Sequence, residues 1–150
     1  MLYTSLETQT SIVETIYHWI NDNADLVRDI GFLPSSERLI YRIEGRALLL
    51  DLVDKKDEMP QLVSETYGYC QDLGRRIHRE GLPGLIAPSA RLPEGTNVCI
   101  FRIGAVSDFS PHERCVYEFL NNGRVFVSFR SVAYPPGIAR REMSFPLPLA

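Results

Sequence analysis

Apolar and polar positions alternate with two different periods along this chain, and the changes of period mark the elements. Leu2-Tyr3-Thr4-Ser5 is extended in character and reads as the end of a strand. From Thr10 the apolar residues fall at Ile12, Val13, Ile16, Tyr17 and Ile20, a spacing that predicts a helix with one buried face. The polar stretch Asn21 to Asp25 interrupts it, and a short second helix is expected through Leu26, Val27 and Ile30, stopped by Gly31 and Pro34. Period two returns between Arg38 and Ile43, placing Leu39, Tyr41 and Ile43 on one strand face. Ala47 to Val53 is almost wholly apolar and reads as a strand buried on both faces.

The charged run Asp54 to Glu58 with Pro60 predicts a loop. A long helix is expected from Gln61 to Glu80, with Leu62, Cys70, Leu73 and Ile77 near one face and Gly81 as its C-cap. Leu85-Ile86-Ala87 predicts a short strand ending at Pro88, and Asn97 to Arg102 another, reached through Pro93-Glu94-Gly95. Cys115 to Leu120 and Arg124 to Val132 flank Asn121-Asn122-Gly123, a strong hairpin signal. Pro135-Pro136-Gly137 and the tail from Phe145, within residues 138–150, read as irregular. With no repeat and no linker, residues 1–150 are expected to form a single α+β domain, a mostly antiparallel mixed sheet with flanking helices.

Composition narrows the function classes. A net charge of -3 and a pI near 5.6 argue against a broad nucleic-acid surface, which needs clustered Lys and Arg. Arg75, Arg76 and Arg79 with His78 leave room for a local basic patch. No apolar run is long enough for a membrane helix, and no signal-peptide pattern opens the chain. Cys70, Cys99 and Cys115, odd in number and widely spaced, fit reduced thiols better than a disulfide framework or a zinc site. These features together predict a soluble, cytoplasmic domain.

Phosphate-cradling glycine loops, His-Glu-x-x-His and Cys-x-x-Cys are all absent, and His18, His78 and His112 lie far apart. Glu14 admits two readings. Ser11-Ile12-Val13-Glu14 has the form of a capping box, with Glu14 bonding back to the cap. Alternatively, Glu14 sits on the first turn of its helix facing Tyr3 at the end of the preceding strand. A carboxylate beside an aromatic ring suits glycosidic chemistry through an oxocarbenium-like transition state. Ser89 follows a short apolar strand in Pro88-Ser89-Ala90-Arg91. A turn hydrogen bond is its plain role, while a hydroxyl followed by Arg91 also suits a phosphate or ribose oxygen.

Taken in order, these segments resemble the RES-domain family, the toxin half of Xre–RES toxin–antitoxin pairs. Leu2-Tyr3-Thr4-Ser5 with Thr10-Ser11-Ile12-Val13-Glu14 matches its first motif, and Leu50-Asp51-Leu52 its next strand. Gly81-Leu82-Pro83-Gly84-Leu85, Pro88-Ser89-Ala90-Arg91 and Asn97-Val98-Cys99-Ile100-Phe101 match the later signature, so the resemblance covers residues 2–104. It implies a fold related to ADP-ribosyltransferases and an activity that cleaves the nicotinamide–ribose bond of NAD, with water or phosphate as acceptor. Glu14 would stabilise the ribosyl cation, Tyr3 would pack on or orient the substrate, and Ser89 with Arg91 would bind it. NAD is then a substrate, no cofactor or metal is implied, and the implied protein partner is an Xre-type helix-turn-helix antitoxin.

The family's arginine lies upstream of the tyrosine, whereas this sequence begins two residues before Tyr3, and Arg28, Arg38 and Arg42 all follow Glu14. The expectation is therefore an N-terminally truncated RES fold: a misplaced start, a natural remnant, or a domain completed by a second copy as a homo-oligomer. The alternative function is a non-catalytic RES-like protein that binds a nucleotide or a protein partner.

Overall fold

The structure is a computed structural model that describes residues 1–120, 122–131 and 142–146. In chain order its elements begin with β1 (Leu2–Ser5), α1 (Thr8–Asn21), α2 (Ala24–Ile30), β2 (Ser36–Gly45) and β3 (Leu50–Asp51). They continue with α3 (Gly68–Arg79), β4 (Gly84–Pro88), β5 (Thr96–Ile100), β6 (Val106–Leu120), β7 (Arg124–Ser131) and β8 (Glu142–Pro146). The protein is α+β, with its strands among the described residues divided between two four-stranded sheets. The backbone forms two compact units, Met1–Glu14 with Glu44–Asp108, and Thr15–Ile43 with Phe109–Ala150.

The first unit holds the sheet β1-β5-β4-β3. β1 and β4 pair antiparallel with β5, while β3 pairs parallel with β4. Its core is Leu52, Leu62, Ile77 and Leu85, joined by Leu50, Met59, Leu73, Leu82, Ala87, Cys99 and Phe101. Gly84 and Ile100 are register partners. A Cβ on Gly84 would run into the Cys99 carbonyl oxygen and come within 3.2 Å of Ile100 Cα, so only glycine lets these strands meet here.

Two expectations change in this unit. The apolar run Ala47 to Val53 gives only the two-residue β3, with Leu48 84% exposed. β3 is an edge strand, paired on one side, and the Asp51 carboxylate accepts a hydrogen bond from Val53 N at 3.0 Å that turns the chain out of the sheet. The expected helix Gln61 to Glu80 is broken as well. Pro60–Val63 is a 3-10 turn, and Ser64 Oγ lies 3.0 Å from the carbonyl oxygens of both Gln61 and Thr66, which share its single proton. A serine hydroxyl that satisfies local carbonyls competes with the helix ladder, and α3 starts only at Gly68. Its C-cap is Glu80 and not Gly81. Gly81 follows at φ +86°, with Gly81 N bonded to His78 O and Leu82 N to Ile77 O. That is a Schellman ending, and it buries Leu82 beside Ile77.

The second unit holds the sheet β2-β6-β7-β8. The expected hairpin is present: β6 and β7 run antiparallel from Glu113↔Ser131 to Leu120↔Arg124, with Gly123 at φ 72° in the turn. Alternation buries Cys115 and Tyr117 on β6 and Val125, Val127 and Phe129 on β7. Trp19 of α1 packs its ring 5.9 Å from that of Tyr117. α2 ends as expected at Gly31, in the left-handed conformation. β2 is longer than the predicted segment, and Leu39 and Tyr41 on its apolar face are exposed, with Tyr41 lying against Phe109. Within the segment 138–150 expected to be irregular, Glu142–Pro146 forms β8, antiparallel to β7, and residues 138–141 and 147–150 fall outside the described residues. The expectations for Val132 and for Pro135 to Gly137 fall outside the described residues. No helix among the described residues is long and apolar enough to cross a membrane.

Candidate active site

Strand register decides which side chains of the first unit share a face. Tyr3 is paired with Cys99 and Ser5 with Asn97 across β1 and β5, and Leu85 and Ala87 of β4 meet the same two β5 residues. Directly opposed residues point the same way, so Tyr3, Ser5, Asn97 and Cys99 project from one face of the sheet. β4 then delivers Ser89 into a tight connection closed by Ser89 N to Gly95 O at 2.8 Å, with Glu94 at φ 67°.

Glu14 is the seventh residue of α1, counting from Thr8, so it lies in the second turn and cannot be the N3 member of a capping box. Ser11 N already bonds to Glu7 O at 3.2 Å as part of the helix ladder. The residue that anchors this helix start is Glu7, whose Oε2 accepts from Thr10 Oγ1 at 2.7 Å and from Thr96 N at 3.0 Å. The Glu7 carboxylate thereby ties the first turn of α1 to the first residue of β5. Burial acts to raise the Glu7 carboxyl, but the Thr96 N–H and the Thr10 hydroxyl hold it below its ordinary value. A carboxyl depressed by folding stabilises the fold at neutral pH, and that contribution is lost as pH falls through its folded-state value. Denaturation midpoints measured from neutral into acid pH should therefore fall more steeply for the native chain than for Glu7→Gln. Parallel curves would remove Glu7 from the account.

Glu14 itself is only 6% exposed. Its Oε1 accepts from Ser89 Oγ at 2.6 Å and from Asn97 Nδ2 at 2.7 Å. No described donor pairs with Oε2. Ser89 Oγ in turn accepts from Arg91 N and Leu92 N, each at 3.1 Å. A serine hydroxyl has one proton to donate and two lone pairs, so this one is fully used. Asn97 has a second partner, Ser5 Oγ, which donates to its Oδ1 at 2.9 Å.

Tyr3 stands beside this cluster, 48% exposed. Its phenol is pushed well above its ordinary range by burial of its polar end, then by the negative charge of Glu14 and by Cys99, Tyr67 and Cys70. It therefore stays protonated and can donate a hydrogen bond. Burial, followed by Cys70 and Glu14, pushes the Cys99 thiol up to about 11, and burial raises Cys70 too. Neither is the thiolate a nucleophilic cysteine requires. Arg91 places its guanidinium over the Tyr67 ring, 5.8 Å from the centroid, with Nη2 3.4 Å from the Tyr67 hydroxyl.

The structure thus gathers Tyr3, Glu14 and Ser89, residues far apart in sequence, around one buried carboxylate, with Arg91 on the connection that holds Ser89. Reasoning from sequence placed Ser5 and Asn97 in motifs without giving either a role, and missed Tyr67. Asn97 alone carried a readable signal, because a polar amide inside an otherwise apolar strand needs a buried partner. The arrangement is a buried carboxylate with one oxygen that has no partner among the described residues, a neutral phenol and an exposed aromatic surface. It can stabilise a developing cation. Compared with known proteins, residues 1–118 match the model of a family described as the RES domain, a span that includes every residue of this site. A search of the curated proteins finds no match.

Proposed function

The chain belongs to the RES-domain family, and from that premise we propose that it degrades NAD by breaking the bond between nicotinamide and ribose. The observation that carries the reading is the buried Glu14 carboxylate, held on Oε1 by Ser89 and Asn97, with no partner on Oε2 among the described residues. As the glycosidic bond breaks, its electron pair leaves with the nicotinamide nitrogen and positive charge grows on the ribose. A preorganised anion lowers the energy of that state more than it lowers that of bound NAD. Water then adds to the anomeric carbon and loses a proton, giving ADP-ribose, or phosphate adds in its place. Tyr3 offers its ring to the planar nicotinamide and its hydroxyl to the ribose, and Arg91 offers positive charge to the diphosphate. NAD enters as substrate. The partner that fits this reading is an Xre-type helix-turn-helix antitoxin covering these residues in the cytoplasm.

The test is incubation of the purified protein with NAD, separating products by chromatography. Free nicotinamide is expected in equal amount to ADP-ribose, or to its phosphorylated form when phosphate is the acceptor. NAD left intact at high protein concentration would overturn the reading in favour of a non-catalytic binding protein.

A further inference from the structure

We propose that Asn97 is a positioning residue for Glu14, and that Ser5 sets which end of its amide faces the carboxylate. An asparagine amide has an acceptor end and a donor end of similar size, and its partners alone decide the orientation. Here Ser5 Oγ donates to Oδ1 at 2.9 Å, which turns Nδ2 onto Glu14 Oε1 at 2.7 Å. Ser5 and Asn97 are opposed in the β1–β5 register, so the amide is set by paired backbone and not by a loop. Asn97 is 5% exposed, which leaves little room for water to replace either partner. With Ser89 donating to the same oxygen, Oε1 is doubly held and the carboxylate cannot rotate without breaking both bonds. Oε2 is then always the oxygen presented to the reacting ribose. The inference rests on the proposed cleavage, because only there does the choice of oxygen matter.

Kinetics with NAD test it through Asn97→Ala, Asn97→Asp, Ser5→Ala and the double variant Ser5→Ala/Asn97→Ala. Both Asn97 variants are expected to lower kcat by about 10- to 100-fold, as for loss of one hydrogen bond to a charged group, with KM changed by less than about threefold. Ser5→Ala should lower kcat by about 3- to 10-fold, and the double variant should be no worse than Asn97→Ala, since the two residues act in series. Asn97→Asp keeps the shape of the side chain, so native kcat in that variant would overturn the proposal, as would multiplicative losses in the double variant. A readout independent of turnover is the Asn97 side-chain amide in a nitrogen-15 spectrum. One of its protons should lie downfield in the native chain and move upfield in Glu14→Gln. An unchanged amide would sink the arrangement whatever the turnover. A responsive amide in a chain that leaves NAD intact would support it while overturning the proposed reaction.

Discussion

Glu14→Gln is expected to slow nicotinamide release from NAD by about 10²- to 10³-fold, the usual loss when one preorganised electrostatic group is removed. Glutamine keeps an oxygen where Oε1 now accepts from Ser89 and Asn97, so the surrounding bonds survive while the charge does not. Its melting temperature should stay close to that of the native chain. Glu14→Ala would behave differently, since it strips the acceptor from two buried donors at a cost of about 1–3 kcal/mol each. Comparing the two variants separates chemistry from scaffold. A glutamine variant with native kcat would remove Glu14 from the reaction.

The second large effect concerns the backbone beneath the site. In Gly84→Ala the new methyl meets the Cys99 carbonyl and Ile100 Cα, backbone atoms that cannot turn aside as a flexible side chain would. The β4–β5 pair must open at its Gly84↔Ile100 end, at a cost of about 3 kcal/mol for overpacking. For a chain of this size that lowers the melting temperature by roughly 6–12 °C, measurable by circular dichroism or calorimetry. Gly68→Ala is the matched control. Nothing lies within 4 Å of a Cβ at Gly68, and alanine there should add up to about 1 kcal/mol by restricting the unfolded chain. Equal melting temperatures for the two variants would refute the packing argument.

What the sequence made legible was local. The α1 periodicity, the Gly31 stop of α2 and the Asn-Gly hairpin all follow from residues within a few positions of one another, and each is present. Two elements misled for the same reason. An apolar run such as Ala47 to Val53 does not reveal that its strand lies at a sheet edge, and helical spacing around Ser64 does not show where its hydroxyl bonds. The S-x-x-E pattern at Ser11 to Glu14 fits a capping box only in a frame four residues later than the real one, because Thr8, with Glu7 ahead of it, starts the helix. The order Tyr3, Glu14, Ser89 could be read along the chain. Asn97 could not be placed in the site, since its partners Ser5 and Glu14 lie 92 and 83 positions away, the first meeting it through strand register and the second from helix α1.

The saturated hydroxyl of Ser89 bears on how a small molecule could block this site. Any inhibitor group aimed at Ser89 must first break its bond to Glu14, Arg91 or Leu92, so it exchanges one hydrogen bond for another and gains little affinity. A cationic ring nitrogen directed at Glu14 Oε2 meets no such competitor among the described residues, and a flat group can at the same time cover Tyr3. Selective ligands should therefore imitate the charged sugar of the transition state and leave the serine alone.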